Sequence, residues 1–250
     1  METIEKTIGQ IVADNYKTAA VFESFGIDFC CKGNKTIDEA CDEKSISKTL
    51  LIHDLNKVTL LKNENNTNED YNSWEPSRLA EHIENKHHKY VEEKTPLIKQ
   101  YLNKICQVHG HKHPELHTIN ELFGESAWDL AVHMKKEELI LFPFVKRLAL
   151  VQNKQTSSLG KQAFGSIQNP VDVMKHDHTI EGERFEKITQ LTNNFTPPPD
   201  ACNTYKVTFA MLKEFVNDLH LHIHLENNVL FPKAIELEEK LRQTNFTDRK

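Results

Sequence analysis

His133-Met-Lys-Lys-Glu137-Glu-Leu-Ile-Leu-Phe-Pro143 and His222-Ile-His-Leu-Glu226-Asn-Asn-Val-Leu-Phe-Pro232 are two copies of one short text. Both read H-x3-E-x3-L-F-P, and each follows an aspartate four residues upstream, Asp129 and Asp218. A duplicated string of this length implies two halves related by an approximate two-fold axis. The copies are 89 residues apart, so each half should also hold an earlier histidine at matching distance. His88 lies 45 residues before His133, and His178 lies 44 before His222. Each half therefore offers one histidine from one helix and an H-x3-E pair from the next.

The spacing has a geometric meaning. At 3.6 residues per turn, positions i and i+4 share a helix face about 6 Å apart along the axis. His133 with Glu137, and His222 with Glu226, can then reach one point in a helical core. Four imidazoles and two carboxylates form a mixed N/O donor set, which suits iron, manganese or zinc better than calcium or a thiolate site. Six ligands are too many for one tetrahedral zinc but natural for two ions bridged by carboxylates. The expected metal ligands are His88, His133, Glu137, His178, His222 and Glu226, with the glutamates bridging and two histidines per ion. Asp129, Asp218 and Asp177 are candidates to hold imidazole N–H groups from behind. His82, His87, His111, His113, His117, His176, His220 and His224 read as exposed or loop residues, with His87 and His176 competing in register with His88 and His178. The Leu-Phe-Pro strings read as core packing and a helix bend.

The rest of the chain fits a helical protein. Only 8 Gly and 9 Pro in 250 residues disfavour a turn-rich β fold. No apolar run approaches the roughly 20 residues a membrane helix needs, and the N-terminus shows no secretory signal. A net charge of −6 without a basic cluster argues against a nucleic-acid partner. Five cysteines, odd in number and scattered except for Cys30 and Cys31, are no disulfide framework, and free thiols without an export signal point to the cytoplasm.

The pattern predicts an all-α fold: a small helical domain over residues 1–61, a polar linker over 62–74, and an antiparallel four-helix bundle over 75–250. In the small domain Ile4, Ile8, Ile11 and Val12 recur at helical spacing, Thr36-Ile-Asp-Glu39 reads as a capping box, and a further helix runs from Ser47 to Leu61. The bundle helices are expected over about 76–106, 116–151, 170–194 and 201–242, with Pro96 kinking or interrupting the first and Pro143 bending the second. Cys30 and Cys31 fall in a turn bounded by Gly26 and Gly33. Adjacent cysteines should point apart and chelate one metal poorly. One reading makes them two small buried residues at a turn; a redox or iron-handling role is favoured, because a glycine-flanked turn can expose a thiolate. A linker of that length has a root-mean-square span of roughly 20 Å, which would make the turn a mobile thiol arm.

These motifs together, with Thr196-Pro-Pro-Pro-Asp-Ala-Cys202 and Ile27-Asp-Phe-Cys-Cys-Lys-Gly33, resemble those of the di-iron iron–sulfur cluster repair proteins. That family joins a double-cysteine domain to a hemerythrin-like bundle, in this order and over nearly the whole chain. Lys32 stands where relatives often have glycine. The resemblance implies two carboxylate-bridged non-haem irons on the six residues named above. It also implies repair of clusters damaged by oxidative or nitrosative stress through iron donation, with damaged iron–sulfur proteins as clients. Nitric oxide or dioxygen would meet the iron site, and a homodimer stays open. Such a protein is a maintenance factor more than a conventional enzyme. Two other classes compete: a module that binds or senses dioxygen or nitric oxide, and a di-iron oxidoreductase that reduces nitric oxide.

Overall fold

The computed structural model describes residues 6–15, 17–60, 70–156, 159–160 and 163–247. Their regular structure is helical, with no strand among the described residues and a single bridge pair, Thr7 with Thr36. By contacts the chain divides into two compact units, Met1–Leu79 with Ile223–Lys250, and Ala80–His222.

In the first unit, α1 (Ile8–Asp14) opens on a capping box in which Thr7 and Gln10 satisfy each other's backbone N–H groups. α2 (Thr18–Ser24) follows, then α3 (Ile37–Lys44), whose Thr36–Glu39 box forms as the sequence reads. α4 spans Lys48–Leu60. Ile8, Val12, Phe22, Ile37 and Leu51 make the buried seam. Ile4, Leu61 and linker residues 62–69 lie outside the described residues. The end of the expected linker is ordered: Tyr71–Ser73 forms a 3-10 turn with Tyr71 buried, and Lys233 Nζ donates to the Asn72 and Trp74 carbonyls.

In the second unit, a π-helical turn (Ile83–His88) leads from the end of α5 (Pro76–His82) into α6 (Lys89–His109). α7 (Glu115–Lys136) packs against α6 and passes through a second π turn (Glu137–Leu141) into α8 (Phe142–Gln152). α9 (Gln168–Leu191) packs on α7, and α10 begins at Asn203. These four helical runs form the bundle. α10 ends at His224 and continues through a third π turn (Leu225–Leu230) into α11 (Phe231–Thr247), within the first unit.

Pro143 and Pro232 explain two of the π turns. Proline cannot donate to the carbonyl four residues back, and its ring crowds that carbonyl in an α-helix. A wider turn just upstream relieves the clash. The preceding Leu141 with Phe142, and Leu230 with Phe231, are fully packed. Pro96 does not interrupt the helix: α6 runs from Lys89 to His109 across it. Both Pro96 and Glu92, whose carbonyl loses its partner, are exposed, so water can take the orphaned bond.

The bundle core centres on Phe123, Phe185 and Phe215, with ring centroids 5.3 Å apart for Phe123–Phe215 and 5.8 Å for Phe185–Phe215. All three are essentially inaccessible. Phe215→Ala should cost about 3–5 kcal/mol. Urea denaturation measures this, and a loss well under that range would show that the three rings are not the packing centre.

Candidate metal centre

Two sets of buried side chains converge inside the bundle, and Glu137 belongs to both. His88, Glu137 and His222 place one ligand atom each within 4.8 Å of one another, and so do His133, Glu137 and His178. Glu137 Oε2 is 3.4 Å from His88 Nε2 and 3.4 Å from His133 Nε2. His133 and His178 face each other with Nε2 atoms 3.0 Å apart. The His88 and His222 rings lie 4.9 Å apart, centroid to centroid. Glu226 is also buried, one turn beyond His222 along the same continuous helix.

The sequence copy explains the positions, and the π turns adjust them. His88 ends the first π turn, Glu137 begins the second and Glu226 falls in the third. π turns inside α-helices are rare and concentrate at functional sites. The extra residue per turn re-aims neighbouring side chains, which is why His87 and His88 are both buried although adjacent.

Acidic groups hold the rear of the imidazoles. His88 Nδ1–H donates to Glu138 at 2.9 Å, and His133 Nδ1–H donates to Asp177 at 3.3 Å. Each bond fixes the tautomer that leaves Nε2 as an acceptor facing the cluster. The hydrogen bond from His133 holds Asp177 down to about 2, with Lys136 assisting against burial. Burial pushes Glu138 up, but bonds from Lys135 and His88 outweigh it and keep the carboxyl below its ordinary value.

Of the three aspartates expected to hold imidazole N–H groups, Asp177 and Asp218 do so, Asp218 on His87 rather than on one of the six expected ligands. Asp218 accepts from His87 Nδ1 at 3.0 Å, and Asp129 pairs with Arg184 at 2.8 Å. Arg184 also pairs with buried Glu181, which accepts from Ser126. Glu138, which lies in the second π turn, was not legible as a partner of His88 from the repeat. Two histidines expected at the surface are buried as well. His87 stacks on His222 at 5.6 Å, and His224 packs edge-on to Phe29 with burial pushing it down to about 4. His176 is exposed, whereas His178 is buried.

The donor set fits metal binding. Two imidazole nitrogens 3.0 Å apart beside a carboxylate can all act as acceptors only toward positive charge, and the absence of thiolate suits iron, manganese or zinc.

The double-cysteine turn is built by Asp28. Its Oδ1 accepts from the Cys30 and Cys31 N–H groups at 3.0 and 2.9 Å, and from the Cys30 thiol at 3.2 Å. The side chains do not point apart, as adjacent residues on an extended chain would. The aspartate turn brings the two Sγ atoms to 3.8 Å. Gly26 takes a left-handed φ of 65°, and a side chain at Gly33 would strike the Phe29 carbonyl at 2.3 Å. The turn is also tied down. Asn227 and Asn228 donate to the Cys30 carbonyl at 3.3 and 3.4 Å, and Asn228 reaches the Phe29 carbonyl at 3.4 Å. The thiols are therefore anchored here to the third π turn rather than carried on a free arm.

Buried His/Glu clusters on facing helices define a metal-binding helical bundle. Residues 79–234 match the hemerythrin HHE cation binding domain, and residues 4–59 match ScdA_N, described as a domain of unknown function. The chain is 32% identical to the iron–sulfur cluster repair protein YtfE of Musicola paradisiaca (strain Ech703), over 94% of this chain and 98% of that protein. It is 32% identical to the iron–sulfur cluster repair protein ScdA of Staphylococcus haemolyticus (strain JCSC1435), over 93% and 99%. Against YtfE of Escherichia coli O8 (strain IAI1) the identity is 31%, over 92% and 97%. The chain belongs to this family of iron–sulfur cluster repair proteins.

Removing the acceptor behind a ligand should loosen the metal without abolishing it. Glu138→Ala is expected to weaken metal affinity about 10- to 100-fold. Competition with a chelator reads this directly, and native affinity in the variant would remove Glu138 from the site.

Proposed function

We propose that this protein stores two carboxylate-bridged non-haem irons in its bundle and donates iron to iron–sulfur clusters damaged by oxidative or nitrosative stress. The observation that carries the reading is the doubly shared carboxylate: one oxygen of Glu137 sits at the same distance from a histidine of each cluster. His88 and His222 hold one ion, His133 and His178 the other, and Glu137 bridges them. Glu226, buried one turn past His222, supplies the second bridge. The names of the relatives support the repair role, and damaged iron–sulfur proteins of the cytoplasm are the clients. No helix among the described residues is long and apolar enough to cross a membrane.

The chemistry gives donation a direction. Bound iron supplies a redox-active cation, and here only nitrogen and oxygen donors hold it. A damaged cluster offers sulfide and thiolate, softer ligands that ferrous iron prefers. His88 and His133, fixed from behind by Glu138 and Asp177, keep the ligand geometry set while the store empties and refills. Nitric oxide and dioxygen are small enough to reach such irons and belong to the stress that calls for repair. In this reading residues 75–250 are the store, joined through 62–74 to residues 1–61, whose Cys30 and Cys31 pass iron on. Such stoichiometric repair is maintenance rather than turnover.

Two variants separate the store from the hand-over. Glu137→Ala with Glu226→Ala should lose at least one iron per chain and the absorption of a bridged pair, because both bridging anions are gone. Cys30→Ser with Cys31→Ser should keep its bundle iron and spectrum yet lose most of its ability to restore an inactivated iron–sulfur enzyme. Full iron content in the first variant, or undiminished repair by the second, would contradict the respective assignment.

A further inference from the structure

We infer that Asp28, Cys30 and Cys31 form a second metal site, separate from the bundle cluster, for a single thiophilic divalent cation. One ligand atom from each lies within 4.8 Å of the others. The site stands independently of the repair reading; its use as a waystation for iron rests on that reading.

The distances match the coordination. Two thiolates bound at about 2.3 Å to a tetrahedral ion lie about 3.8 Å apart, and the Cys30 and Cys31 sulfurs are 3.8 Å apart. Asp28 Oδ1, 3.2 Å from Cys30 Sγ, completes a third corner. Its orientation is fixed by the two backbone N–H groups it accepts, so little has to be reordered when an ion arrives. The backbone beneath is equally constrained: Gly9 N–H donates to the Gly33 carbonyl at 2.7 Å, and Asn227 and Asn228 clamp the Cys30 carbonyl.

Binding is a proton exchange with no redox change. Cys30 and Cys31 each form a bond from sulfur to the ion and release their thiol protons to solvent, two protons per cation. The neighbouring Cys31 sulfur and burial hold the Cys30 thiol well above its ordinary value. Cys30 is buried while Cys31 is half-buried, which leaves one side of the ion open. Three protein ligands and an open fourth position are the arrangement of an exchanging site rather than a closed structural one. Adding thiolates to a carboxylate also selects softer ions than the bundle's all-N/O set does.

Cobalt(II) tests the site, because thiolate ligation gives an intense near-ultraviolet charge-transfer band that histidine and carboxylate ligation does not. The full-length chain carrying Cys202→Ser should show this band at one equivalent per chain. That background removes an exposed thiol lying 3.2 Å from His109. Adding Cys31→Ser should abolish the band with the helical circular dichroism unchanged, and adding Asp28→Asn should weaken cobalt binding at that site about tenfold or more. The band should persist with Glu137→Ala and Glu226→Ala, which separates failure of this site from failure of the bundle store. No thiolate band, a band that survives Cys31→Ser, or unaltered affinity in Asp28→Asn would overturn the proposal.

Discussion

A carboxylate with no access to solvent governs the second unit. Glu137 is completely buried, and within reach of its oxygens stand imidazoles from four helical runs: His88, His133, His178 and His222. A buried anion is tolerated only when positive charge compensates it. The acidic groups behind the imidazoles make the demand stronger, because Glu138 and Asp177 add negative charge around the same centre. The hydrophobic layer of Phe123, Phe185 and Phe215 holds the helices whose ligands must converge. Packing sets the frame, and the cation requirement determines what the frame encloses.

The three π turns connect backbone to chemistry. Each carries or borders a proposed ligand, and two of them precede a proline that makes a regular α-helix unfavourable at that point. The same Leu-Phe-Pro text therefore packs the core, widens the turn and re-aims the carboxylate. In the third π turn the residues after Glu226 have a further task. Asn227 and Asn228 grip the Phe29 and Cys30 carbonyls, so the segment that presents a proposed ligand also anchors the thiol turn.

Much of this was legible in the sequence, for reasons that can be named. The duplicated H-x3-E text and its upstream histidines located His88, His133, Glu137 and His178 because helical periodicity carries over directly into a shared face. The Thr36–Glu39 box was equally readable, being local. What escaped depended on departures from the α period. His87 and Glu138 both lie in π turns, where the α period is a poor guide to which side chains face inward, and the turn at Ile83–His88 has no proline to announce it. Asp218 and Asp129 share the spacing of the copies yet face His87 and Arg184, since equal spacing does not fix which neighbour lies across the helix interface. The cysteine pair was misjudged from chain geometry alone: Asp28, two residues earlier, folds the turn and aligns both sulfurs.

Mössbauer spectroscopy of the full-length chain, reconstituted with iron-57 and oxidised, tests the central claim most directly. The account predicts two irons per chain in an antiferromagnetically coupled, diamagnetic diferric pair ligated by nitrogen and oxygen. A single magnetically isolated ferric ion in the bundle would contradict it.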